Sequence, residues 1–77
     1  MALKIGKLFK SKRNNLHLTQ VEAADLIGVS LRSIIYWERG NHEPRSRLVR
    51  QAAMDFIRGE YDELVIVRRA AAKGIDF

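Results

Sequence analysis

Residues 19–40 constrain the fold more than any other part of the chain, because they encode two short helices joined by a tight turn. Thr19 and Glu22 have the spacing of a capping box, in which each side chain bonds the backbone amide of the other residue. A helix is therefore predicted to begin at Thr19 and to end before Gly28, a residue suited to the left-handed C′ position. Ser30 is a good N-cap for a second helix, which is predicted to stop at Gly40.

Only the three residues Gly28, Val29 and Ser30 separate the two helices. A short turn that contains glycine lets two helices cross steeply, and the alanines at positions 23 and 24 permit a close approach. Helix pairs of this form read DNA in some proteins and are simple αα-corners in others. The shape alone does not decide between these two interpretations.

Apolar periodicity predicts the rest of an all-α fold with four to five short helices. A first helix from about residue 4 to 14 is indicated by four apolar residues at helical spacing, which are Ile5, Leu8, Phe9 and Leu16. After the loop 41–44, another helix carries one apolar stripe made of Leu48, Val49, Ala52, Ala53, Phe56 and Ile57. In the tail, residues 62–72 suit a helix, but the β-branched run 64–67 would also suit a short strand. The helix is favoured there.

Composition limits the classes of protein to which the chain can belong. Its 77 residues suit one domain, and 47% hydrophobic with 30% charged residues is the balance of a folded protein. There is no cysteine, so disulfides and thiolate metal sites are excluded, which fits a cytoplasmic protein. No apolar run approaches the roughly 20 residues that span a bilayer, so no membrane association is expected.

The positive charge lies in the body of the chain. Residues 1–58 carry 11 lysines and arginines against 5 acidic residues, whereas residues 59–77 carry 3 against 4. We therefore divide the chain into a basic body, 1–58, and a near-neutral tail, 59–77, with separate roles. An anionic partner such as nucleic acid suits the body, although a basic surface can also serve solubility alone.

Nothing in the sequence indicates an enzyme. His17 and His42 lie in predicted loops and have no carboxylates at ligand spacing apart from Glu43. A glycine-rich phosphate loop, a nucleophile elbow and a pair of catalytic acids are all missing. We therefore expect no catalysis, no cofactor, no metal and no small-molecule ligand.

Several short motifs resemble the Cro/C1 family of phage-type repressors, also called the XRE family. They are Lys10-Ser11-Lys12-Arg13, Leu16-His17-Leu18-Thr19-Gln20, the run Glu-Ala-Ala-Asp-Leu-Ile-Gly-Val-Ser at 22–30, Ile34, Trp37-Glu38-Arg39-Gly40 and Glu43-Pro44. The resemblance covers residues 3–57 and does not extend to the tail. It implies a lambda-repressor-like domain of four or five helices that binds double-stranded operator DNA as a dimer and commonly represses transcription.

The resemblance also implies roles for individual residues. It places four residues where the family reads bases, namely Ser30, Leu31, Arg32 and Tyr36. Helical geometry supports this assignment, because residues 31, 32, 35, 36 and 39 share one side of the second helix, opposite Ile34 and Trp37. Backbone contacts are expected from Gln20, Arg39, Arg45, Arg47, Lys10 and Lys12, with surface solubility as the alternative for each basic residue taken singly. Arg13 and Glu38 match a structural ion pair of the family.

The tail and the end of the preceding helix are predicted to form a homodimer interface. A chain this short is not expected to bury all of its apolar residues there, which are Phe56, Ile57, Leu64, Val65, Ile66 and Val67. The alternative is that the tail folds back over its own core.

Two functions follow from these observations. The first is a repressor or autoregulator that binds a palindromic operator, as expected for a phage, plasmid or other mobile element. The second is an antitoxin-like interaction protein that uses the same scaffold to bind a partner protein.

Overall fold

A computed structural model describes residues 4–72, and this part of the chain forms five α-helices and no strand. The helices are α1 Ile5–Asn15, α2 Gln20–Ile27, α3 Leu31–Arg39, α4 Arg47–Arg58 and α5 Asp62–Ala72. The all-α prediction is confirmed, and the tail segment 62–72 is helical rather than extended. None of the described helices has the length and apolar character needed to cross a membrane.

The boundaries of α2 and α3 are set by the local signals that the sequence carries. Thr19 Oγ1 accepts from the Glu22 amide at 3.1 Å, and Glu22 Oε1 accepts from the Thr19 amide at 2.8 Å, so the capping box is complete. Gly28 ends α2 with φ of 76°, a left-handed conformation that glycine adopts without steric cost. Ser30 Oγ then accepts from the Ser33 amide at 3.1 Å and caps α3.

Three aromatic rings form the centre of the core. Phe9 of α1 stacks on Phe56 of α4, with ring centroids 4.5 Å apart, and meets Trp37 of α3 edge-on at 5.7 Å. Phe9, Phe56 and Ile34 are fully buried, and Trp37 is only 4% exposed. These rings therefore fix α3 to α1 and α1 to α4 by packing.

One apolar residue of the predicted α4 stripe lies outside the core. Leu48 is 81% exposed, whereas Ala53 and Phe56 are fully buried and Val49 is half-buried. Leu48 precedes Val49 by one residue, which turns its side chain about 100° around the helix axis and away from the core. The prediction that Leu48 packs inward is therefore wrong.

Helix α5 packs against the body of its own chain. Val65 is 3% exposed and belongs to the common core, and the Tyr61 ring lies 6.3 Å from that of Phe56. Arg69 donates to the backbone carbonyls of Leu16 and His17, which ties α5 to the loop between α1 and α2.

Two residues predicted for a dimer interface are consequently unavailable to a partner. Phe56 is fully buried and Val65 nearly so, because α4 and α5 use them to close their own core. Ile57 is half-buried, while Leu64, Ile66 and Val67 are 40%, 67% and 51% exposed. Prediction from apolar character alone did not separate the inward side of α5 from its outward side.

Candidate nucleic-acid interface

Helix α3 has one anchored side and one open side. Ile34 and Trp37 are buried against the body, whereas Leu31 is 39% exposed and Arg32 and Arg39 are also exposed. The other two residues on the open side, at positions 35 and 36, are half-buried. An arginine and a leucine thus project from the first turn of a helix that the core holds rigidly, an arrangement that can enter the major groove of DNA.

The hydroxyl of Ser30, unlike the side chains of Leu31 and Arg32, already takes part in hydrogen bonds within the protein. Its Oγ caps α3 by accepting from the Ser33 amide and also lies 2.9 Å from Ser33 Oγ. Ser33 was not identified from the sequence, and its only local signal is its spacing of three residues from Ser30. The pair defines the end of α3 from which Leu31 and Arg32 project.

Tyr36 is held by the loop that follows α3. Its ring lies edge-on to that of His42, with centroids 5.3 Å apart. Tyr36, His42 and Arg45 line a groove between α3 and the beginning of α4, together with Ser46. The fold therefore brings a predicted base-reading residue and a predicted phosphate-binding residue to the walls of one groove.

The start of α4 has unsatisfied backbone donors. Ser46 occupies its N-cap position, but no side-chain hydrogen bond caps this helix. The exposed side chains of Arg45 and Arg47 flank the same end. Free amides at the positive end of a helix, beside two guanidinium groups, favour an anion such as a phosphate group.

Arg13 and Glu38 form a two-point ion pair between α1 and α3. Arg13 Nε and Nη2 donate to Glu38 Oε2 and Oε1 at 2.7 Å and 2.8 Å, and Arg13 Nη1 donates to the Leu18 carbonyl at 2.8 Å. The side chains are only 11% and 3% exposed. The hydrogen bond to Glu38 raises the pKa of Arg13 above its ordinary value, against the opposing effect of burial. The pair fixes the end of α3 to α1 and to the residues that precede α2.

Gln20 joins this network at the first residue of α2. Its Nε2 donates to Glu38 Oε1 at 3.1 Å, so the Glu38 carboxylate accepts from two different side chains. An amide nitrogen has two hydrogens, and the second remains available for another acceptor, such as a phosphate oxygen. The buried carboxylate thus holds a donor at the N-terminus of α2.

The two lysines predicted to bind phosphate have different surroundings. Lys12 Nζ donates to Asp62 Oδ2 at 2.9 Å, and its side chain is 23% exposed, so it links α1 to α5. Lys10 is exposed and lines a second groove that also includes Lys4, Lys7 and Arg39. The sequence had not indicated Lys4 or Lys7 as part of a site.

Glu43 has a structural role that local sequence signals do not reveal. Its Oε2 accepts from the Ile5 amide at 3.2 Å, so a residue of the loop after α3 satisfies a free donor at the start of α1. The two residues are 38 positions apart. Capping rules read only neighbouring residues and therefore miss such a contact.

A comparison of the sequence with known protein families agrees with this geometry. A family model described as helix-turn-helix matches residues 9–54, which is more than half of the chain. The matched segment contains α2, the turn, α3 and the ion pair, while α5 lies beyond it. Neither the curated proteins nor the solved structures include a significant match to the chain. The protein belongs to the Cro/C1-type, or XRE, family of helix-turn-helix DNA-binding regulators.

Proposed function

We propose that the protein is a transcriptional repressor that binds a palindromic operator as a homodimer. The observation that carries this proposal is the open side of α3, where Leu31 and Arg32 project from a helix whose other side is buried. Arginine donates bidentately to guanine in the major groove, and an aliphatic side chain can contact the methyl group of thymine. In the proposal Arg32 and Leu31 read bases, with Tyr36 beside them and Ser30 at the entry to the groove.

Contacts to the DNA backbone are proposed on both sides of α3. Gln20 offers a donor at the N-terminus of α2, and Arg45 and Arg47 flank the uncapped start of α4. Arg39 and Lys10 continue the basic surface at the other end of α3. Such contacts orient the protein on the duplex but carry little sequence information.

Dimerisation is proposed because one α3 helix reads only a few base pairs, too few for selective binding among many competing sites. A two-fold pair of domains doubles the contacts and reads an inverted repeat. The exposed apolar residues of α5, Leu64, Ile66 and Val67, support an interface on that helix, with Ile57 at its edge. Occupation of an operator by such a dimer would block access of the transcription machinery.

Selection of binding sites from a random pool of DNA duplexes tests the proposal. We expect enrichment of an inverted repeat whose half-sites lie about one helical turn, or roughly 34 Å, apart. The mass of the complex in solution should correspond to two chains on each duplex. A promoter that carries the selected repeat should be less active when the protein is present. Failure to enrich any sequence would overturn the proposal.

The antitoxin-like alternative uses the same exposed residues of α5 to bind another protein. It predicts a monomer in the absence of that partner, and little preference for inverted repeats by the isolated chain. The mass of the free protein and the symmetry of the selected sites therefore distinguish the two functions.

A further inference from the structure

Three lysines follow one edge of α1 at intervals of three residues. Lys4, Lys7 and Lys10 are all exposed, and we call them the lysine edge. They line one wall of a groove whose other wall is the end of α3, including Arg39 and Glu38. Helix α1 contains no acidic residue that would offset their charge.

This arrangement is unfavourable for the isolated helix. Lys4 at the N-cap and Lys7 in the first turn lie at the positive end of the helix dipole, where anions are preferred. Positive charges three residues apart on one helix also repel each other. Among residues 4–72 the lysine edge has no salt bridge. Violation of local rules without a compensating contact is typical of functional sites.

The two carboxylates in the groove compensate for the lysines only in part, because Arg13 already neutralises Glu38 and only the charge of Glu43 remains. Glu38 accepts from Arg13 and from Gln20, and Glu43 accepts from the amide of Ile5. Most of the positive charge of the lysine edge therefore remains available to attract an anionic ligand outside the chain.

We infer that the lysine edge binds the phosphate backbone of DNA that flanks the site read by α3. This inference rests on the proposed function. Glu38 lines the same groove as the lysine edge and accepts a hydrogen bond from Gln20, which is itself proposed to bind phosphate. The lysine edge therefore lies next to a proposed backbone contact. An acidic protein partner is less well suited, because protein interfaces need apolar or aromatic anchors. The one large apolar side chain in this groove, Trp37, is 4% exposed.

The dimensions of the lysine edge agree with a nucleic-acid strand. Lys4 and Lys10 are six residues apart, which is about 9 Å along a helix axis. One strand of DNA rises about 3.4 Å along the duplex axis for each phosphate, and because it also winds around that axis, neighbouring phosphates lie farther apart than this rise. The lysine edge is therefore long enough to contact two neighbouring phosphates, and the ammonium group of lysine is well suited to binding each as a point charge.

The test uses the full chain with Lys4→Gln and Lys7→Gln together, because neither residue belongs to the proposed reading or clamping contacts. The matched control is Arg58→Gln with Arg68→Gln, which removes the same charge from α4 and α5. Binding is measured against salt on two duplexes that carry the selected site, one with short and one with long flanks. Melting temperatures identify any variant that fails to fold.

On the long duplex we expect the slope of log affinity against log salt to become shallower by about 1.8 for the lysine variant, or 0.9 for each of two phosphates. Between 50 and 200 mM salt, that variant should lose about twelvefold less affinity than the native chain. The control should keep the native slope, and the lysine effect should disappear on the short duplex. Equal slopes for the two variants, or an equal effect on both duplexes, would overturn the inference.

Failure of the inference is distinguishable from failure of the proposed function. If the native chain binds its selected site and Arg32→Ala weakens sequence preference, while the lysine variant keeps the native slope, only the inference about the lysine edge is lost. If the native chain enriches no sequence, both are lost.

Discussion

The backbones of α1 and α3 approach so closely at Gly6 and Trp37 that no side chain fits between them. A Cβ atom added to Gly6 would overlap the carbonyl oxygen and carbon of Trp37, and it would lie 3.2 Å from the amide nitrogen of Glu38. Gly6 is buried and helical, so its value here lies in its missing side chain rather than in its conformational freedom. This contact brings α1 beside the end of α3 that carries the ion pair with Arg13.

Substitution Gly6→Ala should therefore destabilise the protein, although alanine is the better helix former. The new methyl group meets backbone atoms, which cannot rotate away, so α1 and α3 must separate. We expect a loss of about 2–3 kcal/mol in the free energy of unfolding, measured by urea denaturation. Ser11→Ala, at an exposed position of the same helix, should be neutral or slightly stabilising. Equal effects of the two substitutions would contradict the contact.

The comparison of Gly6 with Thr19 shows which features can be predicted from sequence. The capping box at Thr19 and the left-handed Gly28 depend on neighbouring residues, so local rules identified them. The contacts of Gly6 with Trp37, Glu43 with Ile5 and Arg69 with Leu16 join residues far apart in the chain, and no local pattern encodes them. The Arg13–Glu38 pair also joins distant residues, 25 positions apart, and it is expected only because the motifs around it resemble a known family.

The tail illustrates the same limit. Its β-branched residues 64–67 fit a helix or a strand when considered alone. Tertiary contacts stabilise the helix, since Val65 enters the core and Lys12 pairs with Asp62 near the start of α5. Removal of residues 59–77 would therefore expose the core of each chain to solvent, so such a deletion would be a poor test of dimerisation.

Removal of only one partner of the Arg13–Glu38 ion pair should strongly destabilise the protein. Arg13→Met leaves a carboxylate that is 3% exposed without its main partner, and we expect a loss of about 3–5 kcal/mol. The double variant Arg13→Met with Glu38→Leu removes both charges and should recover much of that loss. Urea denaturation of the two single variants and the double variant measures the coupling. If the double variant were as unstable as the sum of the single variants, the pair would not be coupled.

The capping box at the start of α2 should make part of the protein's stability depend on pH. Hydrogen bonds from the backbone and side chain of Thr19 lower the pKa of Glu22 below its ordinary value. Because the folded pKa is lower than the unfolded one, this contribution to stability is complete above the unfolded pKa. It is lost as the pH falls through the folded pKa. Carboxyl chemical shifts followed by NMR should give Glu22 a pKa below the ordinary value for glutamate. Thr19→Ala keeps the backbone amide and removes only the hydroxyl, so it should return that pKa part of the way to the ordinary value. A normal pKa for Glu22 in the native chain would contradict the box.

The exposed side of α5 should be required for dimerisation but not for folding. Ile66→Asp introduces a charge at a position that is 67% exposed, so the chain should keep its melting temperature to within a few degrees. The dimer should dissociate, and affinity for a palindromic site should fall much more than affinity for a single half-site. Ser11→Asp adds the same charge at an exposed position of α1, outside the proposed interface, and serves as the control for the oligomeric state. A variant at position 66 that remains dimeric would exclude this side of α5 as the interface.

Arg32 and Arg45 should differ in what they contribute to DNA binding, because they lie on different elements. Arg32 projects from the first turn of α3, whereas Arg45 lies beside the uncapped start of α4. Arg32→Ala should cost about 1–3 kcal/mol on the selected site and relax the preference at one base pair. Arg45→Ala should weaken binding to selected and scrambled duplexes alike, and it should make the salt dependence shallower by about 0.9. Titration of both variants on both duplexes at two salt concentrations distinguishes a base-specific contact from a contact to the DNA backbone. Equal losses for the two variants on both duplexes would mean that Arg32 contacts only the backbone, and the sequence preference would then have to come from Leu31 and Tyr36.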